Sequence, residues 1–266
     1  MYLDHWRLKE KPFENTPDPR FLYYSPKHEE ALARLNYAIQ ERKGSALLTG
    51  EYGSGKTVLS RTLEKLLDSA RYKIVFITNP RISAFEFLIG IARQLGAEQI
   101  SERKIDLVDG IREILERNVA IGKDTIVVID EAQLIEDRET LEEIRLLLNY
   151  QHTDRFLLTM ILVGQPELRE KVNAVPALKQ RMGIRYHLVA LNGEETKAYI
   201  RHRLSVAGSQ EAIFSEESMR VIYEYSRGLP REINNFCDMS LFTAFAKRTK
   251  TVDEGVAQEV LKDFGG

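Results

Sequence analysis

The run SALLTG at residues 45–50 passes directly into GEYGSGKT, Gly50 to Thr57, and then into the amphipathic stretch VLSRTLEKLL. An apolar strand, a glycine-rich turn and a helix in that order leave few folds open. The spacing Gly50-x-x-x-x-Gly55-Lys56-Thr57 is the one at which consecutive backbone N–H groups and a helix N-terminus form an anion-binding concavity. Its glycines let the backbone visit positive φ and come close to a phosphate. On this pattern Tyr52, Gly53, Ser54, Gly55, Lys56, Thr57 and Val58 cradle a polyphosphate. Lys56 reaches the β- and γ-phosphates, and the Thr57 hydroxyl ligates Mg²⁺.

The same alternation continues down the chain. KIVFIT, TIVVID, LLTMILVG and RYHLVAL read as further strands. AFEFLIGIARQL, DLVDGIREILERN and ETLEEIRLLLNY read as the helices between them. Strands that alternate with helices predict an α/β fold with a parallel sheet covered on both faces. Ahead of it, residues 1–26 are rich in proline and aromatics, as in KPFENTPDPRFLYYSP, and predict an ordered extended arm. Ser25-Pro26 opens a helix through KHEEALARLNYAIQER, with Leu32, Leu35, Tyr37, Ala38 and Ile39 on its apolar side. After Leu191 the strands stop. Asn192 with Glu195 marks a capping box, and four helical stretches follow. The predicted organisation is an arm at 1–26, a P-loop α/β domain at 27–191 and a helical lid at 192–266.

Composition narrows the classes further. A chain of 266 residues that is 43% hydrophobic and 29% charged reads as globular. No apolar run reaches the ~20 residues of a membrane span, and MYLDHWRLKEKPF has no secretory h-region, so a cytoplasmic location is expected. The single cysteine, Cys237, excludes an internal disulfide framework and reads as a buried thiol. A net charge of −2 carries no global basic footprint for nucleic acid.

Holding a polyphosphate becomes hydrolysing it only where something handles metal and water. TIVVIDEAQ ends a strand in Asp130 and Glu131. Ligands of such sheets bind outside the carboxyl ends of the strands, so this pair and the P-loop are expected to face one site. Asp130 is then expected to hold Mg²⁺ through water, and Glu131 to polarise the attacking water. The plainer alternative is two solvated acids opening a helix. The acid doublet, with no N/T-K-x-D guanine motif in the right region, favours ATP over GTP.

The chain resembles the ExeA/GspA type of AAA+ ATPase, the cytoplasmic ATPase module of bacterial secretion and pilus-assembly systems. The resemblance runs nearly end to end, through KPFENTPDPRFLYYSPKHEEAL, GEYGSGKT, VVIDEAQ with LEEIRLLLN, ILVGQPELRE, LKQRMGIRYHL and GLPREINNFCD. It implies an AAA+ P-loop NTPase with a five-stranded parallel sheet in the order 5-1-4-3-2, sandwiched by helices, and a small all-helical lid. It implies ATP/ADP and Mg²⁺ as cofactors. Gln165 falls at the sensor 1 position, where it alternatively caps the following helix. Arg181 falls at the arginine-finger position serving a neighbouring subunit, with Arg185 as the alternative and a surface ion pair as the bland reading of either. Arg231, in the first turn of a lid helix, falls at sensor 2; a cation is unfavourable there without an anionic partner. The arm is expected to close over the base through Tyr2, Pro12 and Phe13, while Tyr23 and Tyr24 pack beneath it.

The resemblance further implies self-assembly into an ATP-dependent ring or filament and a partner in envelope assembly: secretion, pili or exopolysaccharide export. That partner, a membrane or envelope protein, is expected to recruit the chain to the inner membrane face without direct insertion. Secretion relatives often continue into a membrane span and a peptidoglycan-binding region; this chain reads as the ATPase part, or as a stand-alone relative. A second reading is a DNA-binding AAA+ regulator of the transposition type, with Lys247, Arg248, Lys250, Arg201 and Arg203 lining the surface. A third, a nucleotide-binding scaffold without turnover, is disfavoured by Glu131.

Overall fold

In the computed structural model, which describes residues 2–265, the five expected strands pair side by side, all parallel. They are β1 (Ser45–Gly50), β2 (Tyr72–Ile77), β3 (Asp124–Ile129), β4 (Leu158–Gly164) and β5 (Ile184–Leu188). Their order is β2-β3-β4-β1-β5, the expected one read from the other edge. Parallel pairs need crossovers. Before the sheet comes α1 (Pro26–Gln40), and between strands come α2 (Lys56–Leu66), α3 (Ala84–Leu95), α4 (Lys104–Ala120), α5 (Arg138–Leu147), α6 (Glu167–Asn173) and α7 (Pro176–Arg181). Local chemistry sets their limits. Ser83 and Glu86 close a capping box at the start of α3, and Gly96, at φ 98°, ends it in the left-handed region.

Chain contacts divide the molecule into two units. The α/β unit takes Glu29–Gly50 and Leu59–Leu188. The helical unit takes the arm through His28, the loop Glu51–Val58 and the chain from Val189 onward.

In the α/β unit, side chains of successive strand residues go to opposite faces. Leu47, Val75, Ile77, Val127, Ile129, Met160 and Leu162 pack against α3 to α7. Ala46, Leu48, Ile126, Val128, Ile161 and Val163 pack against Leu35 and Ile39 of α1 and Leu59 and Leu63 of α2. The central strands β1 and β4 are buried at every position, whereas the edge strands β2 and β5 are only partly covered. One residue counted into an apolar face falls outside it: Tyr37 is 50% exposed. Tyr37 instead lies under the Lys43 ammonium, 5.3 Å from its ring centre.

The helical unit contains α8 (Gly193–Val206), α9 (Glu216–Ser226), α10 (Pro230–Ala246) and α11 (Glu254–Asp263). Asn192 and Glu195 form the expected capping box of α8. The arm is part of this unit's core: Tyr2, Trp6, Leu8, Phe13 and Phe21 are buried with Ile200, Phe236 and Leu241. Arg203 fastens it by donating to the backbone oxygens of Pro12 (2.5 Å) and Glu14 (2.9 Å) and to the Tyr199 hydroxyl (2.8 Å). Cys237 is fully buried, and burial pushes its thiol up. Met1 and Gly266, the outer limits of the expected arm and lid, lie outside the described residues. Among the described residues no helix is long and apolar enough to cross a membrane.

Candidate functional site

The phosphate-loop motif lies in the helical unit, between the end of β1 and the start of α2. Gly53 and Gly55 take φ of +78° and +98°, the left-handed values that the motif reserves for glycine. α2 begins at Lys56, and the first-turn N–H groups of a helix are the kind of donors that suit an anion. Lys56 is 6% exposed, and its ammonium donates to the Glu51 carbonyl at 2.8 Å. Ser54 Oγ is buried and has no hydrogen-bond partner among the described residues. Backbone N–H groups, an ammonium and two hydroxyls (Ser54, Thr57) form a donor set that fits a polyphosphate.

Two residues brace this loop. Arg231, in the first turn of α10, donates its backbone N–H to the Gly53 carbonyl at 3.2 Å. Its guanidinium donates to the Tyr52 hydroxyl and lies over that ring, 4.3 Å from the centre. A Cβ on Gly53 would come within 2.7 Å of Arg231 Cβ, so this position requires glycine for space as well as for φ. The other brace is His28, only 3% exposed. Its Nδ1 is 2.7 Å from Ser25 Oγ, its Nε2 lies against Gly55, and the ring donates to the Ser54 carbonyl. Burial holds the imidazole below its ordinary value of 6.5. The unfolded chain therefore takes up a proton before the folded one does, and stability present above pH 6.5 is lost as pH falls. Wild-type protein is expected to lose more stability between pH 7.5 and 5.5 than His28→Gln, by at most ~1.4 kcal/mol per pH unit. Parallel denaturation curves at both pH values check this, and equal slopes would discount the histidine.

The other expected residues collect at one edge of the sheet in the α/β unit. Register pairs Thr49 with Gly164 and Ile129 with Leu162, so β1, β4 and β3 finish at the same end. Asp130 and Gln165 directly follow β3 and β4. Asp130 is 4% exposed; its backbone N–H donates to the Ile77 carbonyl and its carboxylate accepts from the Glu131 N–H at 2.9 Å. Glu131 has φ 51° and ψ 34°, a left-handed conformation that costs a non-glycine residue about 1–2 kcal/mol and is often retained at functional positions. Its carboxylate accepts from Gln133 Nε2 at 2.5 Å. Gln133 Oε1 in turn accepts the backbone N–H of Gln165 at 3.0 Å. Gln133 was not singled out from sequence although it belongs to the DEAQ run. An amide two residues past a strand-end acid, followed by a one-turn helix, is the signal that would have found it.

Arg181 lies at the other end of the sheet, just before β5, and Ser45 Oγ donates to its carbonyl at 2.5 Å. Six-residue strands separate the two ends by roughly 20 Å, so within one α/β unit Arg181 does not meet Glu131. Its guanidinium donates to the Leu148 carbonyl at 2.9 Å and to Asn149 Oδ1, at the end of α5 where the helix dipole favours a cation. Arg185 donates to the Met182 and Lys179 carbonyls, so among the described residues both arginines bond oxygens of uncharged groups.

Tyr2, Pro12 and Phe13 are buried in the helical core, with Tyr2 donating to Asp238. Tyr23 packs against Tyr199 and His202, whereas Tyr24 is 43% exposed and does not pack beneath the arm. Of the five basic residues read as a nucleic-acid surface, Arg203 is 6% exposed and belongs to the arm's anchor. Arg201 pairs with Glu216 and Lys247 with Glu259. The spacing of charges along the helices did not reveal that Arg203 turns inward.

The chain matches the AAA domain family over residues 39–172. It is 38% identical over 258 residues to general secretion pathway protein A of Aeromonas hydrophila, covering 96% of this chain and 47% of that protein. The chain thus spans about half the length of that relative. An uncharacterized HTH-type transcriptional regulator of Methanocaldococcus jannaschii is 23% identical over 270 residues, covering 87% of this chain and 66% of that one. The Aeropyrum pernix ORC2 protein, solved as ADPNP–ADP complexes, superposes with a TM-score of 0.72 at 18% identity, over 96% of this chain and 71% of that one. At that identity the likeness is one of fold. Strand order, phosphate loop and family match agree: the chain belongs to the AAA domain family and resembles general secretion pathway protein A over nearly its whole length.

Proposed function

We propose that the chain is a Mg²⁺-dependent ATPase that completes its sites by self-assembly and drives a step of bacterial envelope assembly. The observation that carries the hydrolytic part is the shared sheet edge. β1 ends at Gly50, where the loop sequence begins, at the end of the sheet at which β3 and β4 deliver Asp130, Glu131 and Gln165. Lys56 neutralises the β- and γ-phosphates, and Arg231 adds a second cation. Thr57 would ligate the metal directly, and Asp130 would hold it through water. Mg²⁺ would take its other ligands from phosphates and water. Bound Mg²⁺ offsets charge on the phosphates. Glu131 orients the attacking water and accepts its proton, and Gln165 contacts the γ-phosphate side of the site.

Glu131→Gln is expected to bind ATP and Mg²⁺ normally and to hydrolyse at least about 100-fold more slowly, since only the carboxylate's proton acceptance is lost. Calorimetry and a phosphate-release assay check the two halves. Wild-type turnover in this variant would assign the water to another residue.

Arg181, set at the far end of its own sheet, is assigned to the site of a neighbouring copy. Specific activity is then expected to rise with protein concentration. Arg181→Ala keeps nucleotide affinity, because a finger acts mainly as charge develops in the transition state. Mixing it with Glu131→Gln restores part of the turnover, since some mixed contacts pair an intact Glu131 with an intact Arg181. Concentration-independent activity without rescue on mixing would place the complete site in one chain.

The secretion context draws on the name of the Aeromonas relative, and on it rest the cytoplasmic location and recruitment by a membrane or envelope partner. The nucleic-acid reading draws on the name of the Methanocaldococcus relative. With Arg203 buried and two of the other cations paired, it has the weaker support. Retention on duplex DNA that falls steeply with salt would favour it.

A further inference from the structure

We propose that Gln133 is a positioning residue, a two-ended amide that ties the Glu131 carboxylate to the end of β4. This rests on the ATPase reading above. The amide is held at both ends: Nε2 donates to Glu131 Oε2 at 2.5 Å, and Oε1 accepts the Gln165 N–H at 3.0 Å. Its orientation is settled by chemistry. A backbone N–H only donates and a carboxylate only accepts, so turning the amide round would oppose donor to donor and acceptor to acceptor.

The surroundings hold this bridge in place. The one-turn helix Ala132–Leu134 follows Glu131 directly, with the Leu134 N–H on the Glu131 carbonyl at 2.8 Å. Lys171 Nζ donates to the Gln133 and Ile135 carbonyls at 2.5 and 2.6 Å, clamping the backbone on either side of Leu134. At the far end, Gly164 makes the room. A Cβ there would stand 2.5 Å from Gln133 Oε1 and 3.2 Å from the Gln133 nitrogen. Glu131 is itself in the left-handed region, a conformation its own backbone does not favour. The side chain that fixes its carboxylate is therefore supplied by the turn that follows it.

The amide takes one lone pair of Glu131 Oε2, which leaves Oε1 the less encumbered oxygen to accept from water. The amide fixes the direction of Oε1 without touching water or phosphate. Because the other end is on the peptide of Gln165, a shift of the β4 terminus is passed to the carboxylate through one side chain.

The test uses Gln133→Met, which keeps length and volume and removes both hydrogen bonds, and Gln133→Asn, which keeps the amide but is one carbon too short to span the gap. Both are expected to lower kcat between about 10- and 100-fold, with KM and the calorimetric Kd for ATP within about twofold of wild type. A purely structural defect would not produce that split. In a Glu131→Gln background, Gln133→Met is expected to add no further loss in single-turnover hydrolysis, because the group it positions has gone. Wild-type kcat in Gln133→Met or Gln133→Asn, with Glu131→Gln still slow, would overturn the role of Gln133 and leave the ATPase reading intact. An undiminished further loss in the Glu131→Gln background would overturn it too, by placing its action elsewhere. Wild-type turnover in Glu131→Gln, or none in the wild-type chain, would overturn both.

Discussion

Lys56→Met abolishes nucleotide binding while the chain stays folded. The ammonium is nearly buried in the phosphate loop, where it donates to the Glu51 carbonyl. On the proposed reading it reaches the β- and γ-phosphates through charge-assisted hydrogen bonds. Charge-assisted hydrogen bonds contribute about 1.5–3 kcal/mol each, so losing contacts to two phosphates weakens ATP binding by roughly 100-fold to 10⁴-fold. Methionine keeps the aliphatic stem and spares the packing. Calorimetric titration is expected to show no measurable heat at concentrations that saturate wild type, with a melting temperature within a few degrees of it. Unchanged affinity would remove the loop from the nucleotide altogether.

The largest expected loss of stability is at a position with no catalytic role. Gly228 ends α9's turn at φ +75°, and a Cβ there would stand 1.8 Å from the Leu191 carbonyl oxygen and 2.8 Å from its carbon. That backbone cannot step aside, because the Leu191 N–H already donates to the Gly228 carbonyl at 3.0 Å. Gly228→Ala therefore adds a backbone clash to left-handed strain and is expected to cost about 4 kcal/mol or more. Gly96→Ala is the control: φ is positive there too, at +98°, but nothing lies within 4 Å of the added carbon. Strain alone should cost about 1–2 kcal/mol. Denaturant midpoints of the two variants against wild type measure the difference, and equal losses would show that the Leu191 contact yields.

Sequence patterns carried the sheet well, because continuous apolar runs such as SALLTG and LLTMILVG have one sensible place, between two helical layers. Strand order came from family resemblance rather than from periodicity, which says nothing about neighbours. What stayed hidden depended on side-chain direction in three dimensions. Arg203 reads as one of a row of surface cations until the arm's carbonyls are seen to need a donor. The short helix α7 was missed because six residues carry too little periodicity to register. Gln133 was overlooked for a related reason: its partners are a carboxylate two residues away and a peptide more than thirty residues on, and only the folded sheet brings both within reach.

The sheet's polarity also limits how copies of this chain can associate. The proposed donor, Arg181, stands where the strands begin, and the proposed acceptor, the Glu131 edge, stands where they finish. A contact that joins them uses two different surfaces, so it is heterologous, and a two-fold dimer cannot be built from it. Each added copy repeats the same rotation. A rotation that closes gives a ring in which every site receives an arginine; one that does not gives a filament with a single incomplete site at one tip. Turnover per chain would then climb toward its limit as filaments lengthen, and a ring would reach that limit in one step.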